Sequence, residues 1–384
     1  VSGAQGLPLD ASWPDWADHE AKRVREAQQW REPRDLDLRL DTPGPSGTLA
    51  PHGVEVVSFA SNDYLGLTRH PQVVAAAHGA LDRWGTGAGS ARLIVGSRPV
   101  HSELEHALAD WKGTERAVLF TTGFAANLGV LVACAGPGVL VCSDELNHAS
   151  IIDGRRLAHA DLAVFGHRDV AHLDRLLARA DPRRALVVSE TVFSMDGDVA
   201  PVDDLVEVCA RHGALLVLDE AHAVLGPHVL TAEHVLRVGT LSKTLGALGG
   251  FVAGPARYTE LLVNRARSFI FTTASTPADA AAALAALRVT RSSEGQALRA
   301  RLRAHVDRLR PGYPSPILPY LCGSEAHALE AASALLDDGL LVTAIRPPTV
   351  PPGTSRLRVT LSAAHTDEQV ERLAHALASL FPAS

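Results

Sequence analysis

Residues 235–250 read "VLRVGTLSKTLGALGG", a short apolar run followed by Thr240, Ser242 and Lys243 among glycines and leucines. The chain's only lysines are Lys22, Lys112 and Lys243, against a crowd of arginines. A solvated cation at this position would be replaceable by the favoured arginine. An amine that has to lose its proton and act as a nucleophile would not, because guanidinium stays charged. Lys243 directly after an apolar run therefore suggests a buried strand delivering a reactive amine to one edge of a sheet.

Runs of the same kind recur on both sides: "RAVLFTTG", "GVLVCSD", "LAVFGH", "ALVVSET", "ALLVLDEAH" and "GGFVAGP". Helical patterns lie between them, the clearest being "PVDDLVEVCARHG", with Pro201 near its start and Gly213 past its end. Continuous apolar strands separated by helices predict an α/β fold, its mostly parallel sheet covered by helices on both faces. Residues 12–32 pattern as an amphipathic arm helix, and the Pro/Gly-rich "DTPGPSGTLAPHG" reads as a connector after it. From about residue 285, Arg-rich helical segments surround "PSPILPYLCG" and "SRLRVTLSA", predicting a smaller C-terminal α+β domain. The expected division is 1–50 for arm and connector, 51–285 for a large domain and 286–384 for a small one.

A length of 384 residues accommodates this arrangement. The net charge of -7 is mild and interleaved, without the basic stripe that nucleic-acid binding requires. No apolar run is long enough to span a membrane. The opening "VSGAQGLPLDASWPDW" lacks a basic region followed by an apolar core, so a cytoplasmic setting is expected. Cys134, Cys142, Cys209 and Cys322 have neither metal-ligand nor redox spacing and read as buried thiols.

Parallel sheets bind ligands at the carboxyl ends of their strands. The residues just past the apolar runs are Thr121, Thr122 and Gly123; Ser143 and Asp144; Ser189 and Glu190; Asp219 and His222; Thr240 and Lys243. Asp219 alone would read as a capped strand end. Paired with a lysine desolvated among small residues, which forms Schiff bases readily, it reads as the carboxylate that keeps a heteroaromatic nitrogen protonated. That is the requirement of pyridoxal phosphate (PLP), whose charged pyridinium is an electron sink. "LFTTGFAANLGVL" offers a phosphate site, a strand leading through Gly123 to a helix whose first N–H groups are free. Thr240 would add a hydroxyl, and the His148 ring would either be structural or stack on a flat cofactor. "RWGTGAGSARLIVG" suggests a dinucleotide loop, but it follows a helical stretch and lacks the third glycine, so that site is rejected.

The segments "SFASNDYLGL", "GTGAGSARLIVG", "TTGFAANLG", "NHASIIDG", "VFSMDGDVAP", "LDEAHAV", "TLSKTLG" and "TAIRPPTVPPGTSRLRVTLSAAHT" occur in this order from about residue 57 onward. Together they resemble the α-oxoamine synthases, fold-type I PLP enzymes. The resemblance implies that Lys243 links covalently to the cofactor, that Asp219 partners its pyridine nitrogen and that His148 stacks on its ring. It places His222 and Ser194 near the phenolic oxygen, and Gly123, Phe124 and Thr240 on the phosphate. Asn62, Arg346 and Thr349 would meet the substrates, together with His148. Arg31 would take the far carboxylate of the acyl chain. The family's sites lie at a dimer interface, so Thr272 and Thr273 of "FTTAS" would reach the partner subunit's phosphate. The implied reaction is decarboxylative condensation of L-alanine with a pimeloyl thioester, on coenzyme A or an acyl carrier protein. The alternatives are another pairing, such as glycine with acetyl-CoA, and a non-catalytic protein keeping the fold. The glycine-rich loop usual after "DEAHAVLG" is short here and reads "PHVLTAEH", and the stretch before "PSPILPY" is also short.

Overall fold

A computed structural model describes residues 12–39, 42, 44–51, 53–180 and 184–382. Its centre is a seven-stranded sheet in the order Arg116–Phe120, Gly250–Gly254, Val235–Thr240, Leu215–Asp219, Ala185–Glu190, Leu140–Asp144, Asp161–Phe165. Only Gly250–Gly254 runs antiparallel to its neighbours. The strands are short and apolar because both faces are covered. Along Leu215–Asp219, Leu216 and Leu218 pack with Leu205, Val208 and Phe165, whereas Val217 packs on the opposite face with Val130, Leu131 and Ile151. The predicted fold class is the observed one.

The helix expected after Pro201 spans Val202–His212 and ends at Gly213, whose φ of +61° is the left-handed cap that glycine adopts freely. "GTGAGS" follows the helix Pro71–Trp84, as expected, and leads into a π-turn at Arg92–Gly96.

Contacts divide the chain into two compact units. The larger is Ser61–Leu318 with Thr360–His365; the smaller gathers the residues up to Ala60, Pro319–Val359 and those from Thr366 onward. This differs from the boundary at 285/286, which falls inside the helix Pro277–Arg291. That helix buries Ala280, Ala283, Ala286 and Leu287 against the helices Pro71–Trp84 and Pro99–Lys112 of the larger unit, and apolar periodicity alone does not say which partner a helix packs on.

The arm helix is present as Trp13–Glu26 and buries none of its residues. The connector reading is corrected. Within "DTPGPSGTLAPHG", Ser46–Leu49 is a strand pairing antiparallel with Leu36–Leu38 and Val54–Ser58, and Leu340–Leu341 completes this four-stranded sheet of the smaller unit. Pro and Gly mark the turns here, and the strand between them is too short to show a period. The cysteine reading is also corrected in part: Cys142 and Cys209 are buried, but Cys134 and Cys322 are only half-buried.

Candidate active site

The carboxyl ends of five strands converge on one rim of the large unit. At the first, Phe120 leads through Thr121 and Thr122 into the helix Gly123–Cys134. The Thr122 side chain caps this helix by accepting from Ala125 N–H at 3.0 Å, which leaves the N–H groups of Gly123 and Phe124 without intrahelical partners. A Cβ on Gly123 would stand 3.2 Å from Thr240 Cβ and 3.4 Å from its hydroxyl. A Cβ on Gly250 would stand 2.4 Å from the Thr122 carbonyl oxygen. Glycine at both positions lets two strand ends and a helix N-terminus close into one cradle of donors. Thr240 Oγ1 itself donates to Gly249 O at 3.0 Å and pairs with Ser242 Oγ at 2.7 Å.

Asp219 closes the neighbouring strand and is 7% exposed. Its two oxygens accept from Asn127 Nδ2 at 2.7 Å and from Ala221 N–H at 2.9 Å, both neutral donors. The same Asn127 nitrogen donates to Ser150 Oγ at 2.9 Å, and that hydroxyl lies 2.8 Å from His148 Nδ1. Asp219, Asn127, Ser150 and His148 thus form one hydrogen-bonded chain. Burial, with the Lys243 charge in support, holds His148 below the ordinary histidine range against the opposing pull of Asp219. Its ring sits edge-on to Phe124, centroids 6.4 Å apart.

Lys243 Nζ lies 2.7 Å from His222 Nε2, and His222 Nδ1 lies 2.5 Å from the Tyr64 hydroxyl. Tyr64 is also 3.2 Å from Asn62 Oδ1. Ser194 is buried, its N–H donating to Glu190 Oε2 at 3.1 Å. The other lysines are differently engaged. Lys112 is buried against Glu220 at 2.6 Å beside Arg237, and Lys22 lies on the exposed arm helix.

The large unit therefore brings Lys243, His222 and Asn62 into one network, Asp219 and His148 into a second, and Gly123 with Thr240 into the cradle, at whose helix Phe124 is the second residue. Thr272 and Thr273 lie in the segment before the helix Pro277–Arg291, tied by Ala274 N–H donating to Ser90 O at 3.0 Å. Arg346, Thr349 and Arg31 belong to the smaller unit. There Arg31 donates to Pro347 O at 3.3 Å, Arg346 donates to Gln28 O and Trp30 O, and Thr349 N–H donates to Arg346 O at 3.1 Å. Burial, then the neighbouring Arg31 charge, hold the Arg346 guanidinium below its usual value.

Asn127, Ser150, Tyr64 and Glu190 complete these networks and were not singled out from sequence as site residues. Glu190 was at least on the polar rim. Asn127 and Ser150 lie inside helices, where the strand-end rule does not look.

Residues 54–377 match the family described as Aminotransferase class I and II. An 8-amino-7-oxononanoate synthase of Anaeromyxobacter dehalogenans is 51% identical over 86% of this chain and 87% of its own length. Another, of Bordetella petrii, is 46% identical over 86% and 91%. Among solved structures, a serine palmitoyltransferase of S. paucimobilis with bound PLP-myriocin aldimine superposes with TM-score 0.86 at 30% identity, over 95% of this chain and 96% of that one. An 8-amino-7-oxononanoate synthase of Francisella tularensis gives TM-score 0.69 at 25% identity, over 84% and 97%. With its fold, its strand-end lysine and these relatives, the chain belongs to the class I and II aminotransferase family and, within it, to the PLP-dependent α-oxoamine synthases.

Proposed function

We propose that the enzyme condenses L-alanine with a pimeloyl thioester, releasing carbon dioxide and free thiol to give 8-amino-7-oxononanoate, a step of biotin biosynthesis. The observation that carries it is Lys243 held against His222 in a rim whose relatives of 46–51% identity carry that synthase's name. The closer backbone superposition on serine palmitoyltransferase does not outweigh this. Fold is shared across chemistries, and side chains decide which substrate enters.

The residues fit PLP. The cradle of Gly123, Phe124 and Thr240 suits a phosphate. Asp219, buried and among the described residues held by the neutral donors of Asn127 and Ala221, suits a cationic ring nitrogen. Glu190 Oε1, buried and without a hydrogen-bond partner among the described residues, leaves further polar capacity at the base of the site. Bound there, PLP supplies an electron sink for negative charge on alanine's α-carbon. Lys243 anchors it and takes the α-proton at Nζ. His222 and Ser194 hold its phenolic oxygen, and His148 covers its ring. Asn62, His148 and Thr349 meet the substrates. Arg346 takes alanine's carboxylate through charge-assisted hydrogen bonds, and Arg31 the far carboxylate of the acyl chain.

A homodimer with shared sites fits an exposed apolar run. Ile94 and Val95 are 73% and 70% exposed on the π-turn, which the Ser90 hydrogen bond links to the Thr272–Thr273 segment. Such a run on a monomer marks an interaction surface. In the dimer, Thr272 and Thr273 reach the partner's phosphate. The setting is cytoplasmic; among the described residues no helix is long and apolar enough to cross a membrane.

The test is a matrix of purified enzyme with alanine, glycine or serine against pimeloyl, acetyl and palmitoyl thioesters, scored by product mass. Alanine with the pimeloyl thioester should give the fastest turnover. Fastest turnover from glycine with acetyl-CoA, or from serine with palmitoyl-CoA, would overturn the proposal.

A further inference from the structure

Tyr64 is 0% exposed, its backbone pinned by Tyr64 N–H donating to Asn62 O and by Ala363 N–H donating to Tyr64 O, each at 2.8 Å. Its ring stands edge-on to His222, centroids 6.0 Å apart. Partners of the hydroxyl include His222 Nδ1 at 2.5 Å and Asn62 Oδ1 at 3.2 Å. On the far side of the imidazole, Nε2 faces Lys243 at 2.7 Å.

The donor count fixes the protons. An ammonium has donors and no acceptor, and a neutral imidazole has one N–H. While Lys243 is charged, His222 Nε2 accepts from it and the ring proton sits on Nδ1. That N–H donates to the Tyr64 oxygen, whose own hydrogen points to Asn62. An anionic oxygen in front of Nε2 demands the reverse: Nε2 must donate and Nδ1 must accept.

We propose that Tyr64 is a positioning residue that couples loss of the Lys243 proton to a change of His222 tautomer. Each member of the chain passes on one proton. Lys243 gives one to Nε2, Nδ1 gives its own to the Tyr64 oxygen, and Tyr64 gives up the hydrogen it held toward half-buried Asn62, so the two states of the network differ by one proton. One proton leaves for solvent and no heavy atom moves. The result is a neutral lysine beside an imidazole that now presents N–H from Nε2, with the Tyr64 hydroxyl turned onto Nδ1. The amine becomes nucleophilic in the same event that prepares His222 to donate to an oxyanion. On the functional reading above, that oxyanion is the phenolic oxygen of PLP. Lys243 also acts on the ionisable groups His148 and Glu190, and Asp219 acts on both of them.

The coupling is testable on the protein without PLP, and so separately from the functional reading. Nitrogen NMR of histidine- and lysine-labelled enzyme, assigned with His222→Asn and Lys243→Ala, follows both groups through a pH titration. The expected result is that His222 changes from Nδ1–H to Nε2–H at the pH where Lys243 loses its proton. In Tyr64→Phe, matched for folding by thermal melting, the two events should separate, the tautomer change no longer coinciding with the Lys243 titration. If Tyr64→Phe fails to fold, the wild-type titration alone decides. An His222 tautomer that stays constant while Lys243 titrates would overturn the proposal, as would a folded Tyr64→Phe that titrates like the wild type. PLP that binds elsewhere would overturn the functional reading and leave this coupling to stand or fall on the titration.

Discussion

Glu190 and Asp219 are register partners at the ends of adjacent parallel strands, so two buried carboxyl groups share the base of the site. Burial, then the charge of Asp219, push Glu190 up to about 8. Glu190 is therefore largely protonated at neutral pH, while one of its oxygens holds the Ser194 N–H.

That gives the first prediction. The folded-state value lies above the ordinary carboxylate range, so folding favours protonated Glu190. Stability falls as pH rises from that range toward about 8, because an unfolded chain ionises there and the fold resists. Glu190→Gln removes this dependence while keeping an oxygen for Ser194. Melting curves of the PLP-free enzyme should show the variant gaining on wild type between about pH 5 and pH 9. Parallel curves across that window would contradict the shift.

A second pH dependence has the opposite origin. The His167 ring bridges Asp144 at 3.1 Å and Asp198 at 2.8 Å, edge-on to Phe193. It ties the turn before His148 to the loop carrying Ser194. Burial opposes its charge, but the hydrogen bonds and charges of the two aspartates outweigh it and raise it to about 9. The stabilisation is complete below the ordinary histidine range and disappears as pH rises through about 9. His167→Gln should lower the melting temperature at pH 7 and converge with wild type by about pH 10. A constant difference would show that only packing is at stake.

Asp219→Asn keeps the shape of the site and removes the carboxylate proposed to face the ring nitrogen. PLP should still bind, while kcat should fall by about 10²–10³, the loss typical of removing one preorganised electrostatic partner. Turnover near wild type would reduce Asp219 to a structural role.

The sheet and the chemistry at its rim were legible because each strand is a continuous apolar run with its polar residue placed immediately after it. Asp219, Lys243 and Thr240 all stand at such positions. Ser46–Leu49 was not legible, since its burial comes from pairing with strands on both sides. Nor was Asn127, one turn into a helix and buried by its contact with Asp219. Arg31 and Arg346 lie more than three hundred positions apart in sequence, and only the fold of the smaller unit makes them neighbours.

Arg346→Ala should weaken L-alanine binding by roughly 1.5–3 kcal/mol, about ten- to a hundredfold, through loss of a charge-assisted pair. The readout is the alanine-induced change in cofactor absorbance. Discrimination against glycine should remain modest, since one methyl group is worth about 1–3 kcal/mol. An unchanged alanine affinity would remove Arg346 from the site.

The most direct test of the whole account is to reconstitute the enzyme with PLP, reduce it with borohydride and map the labelled lysine by mass spectrometry. Lys112 is committed to Glu220, and Lys22 sits on an exposed helix. The label should therefore fall on Lys243 and be absent from Lys243→Ala. A stoichiometric label on Lys22 or Lys112, with Lys243 unmodified, would contradict it.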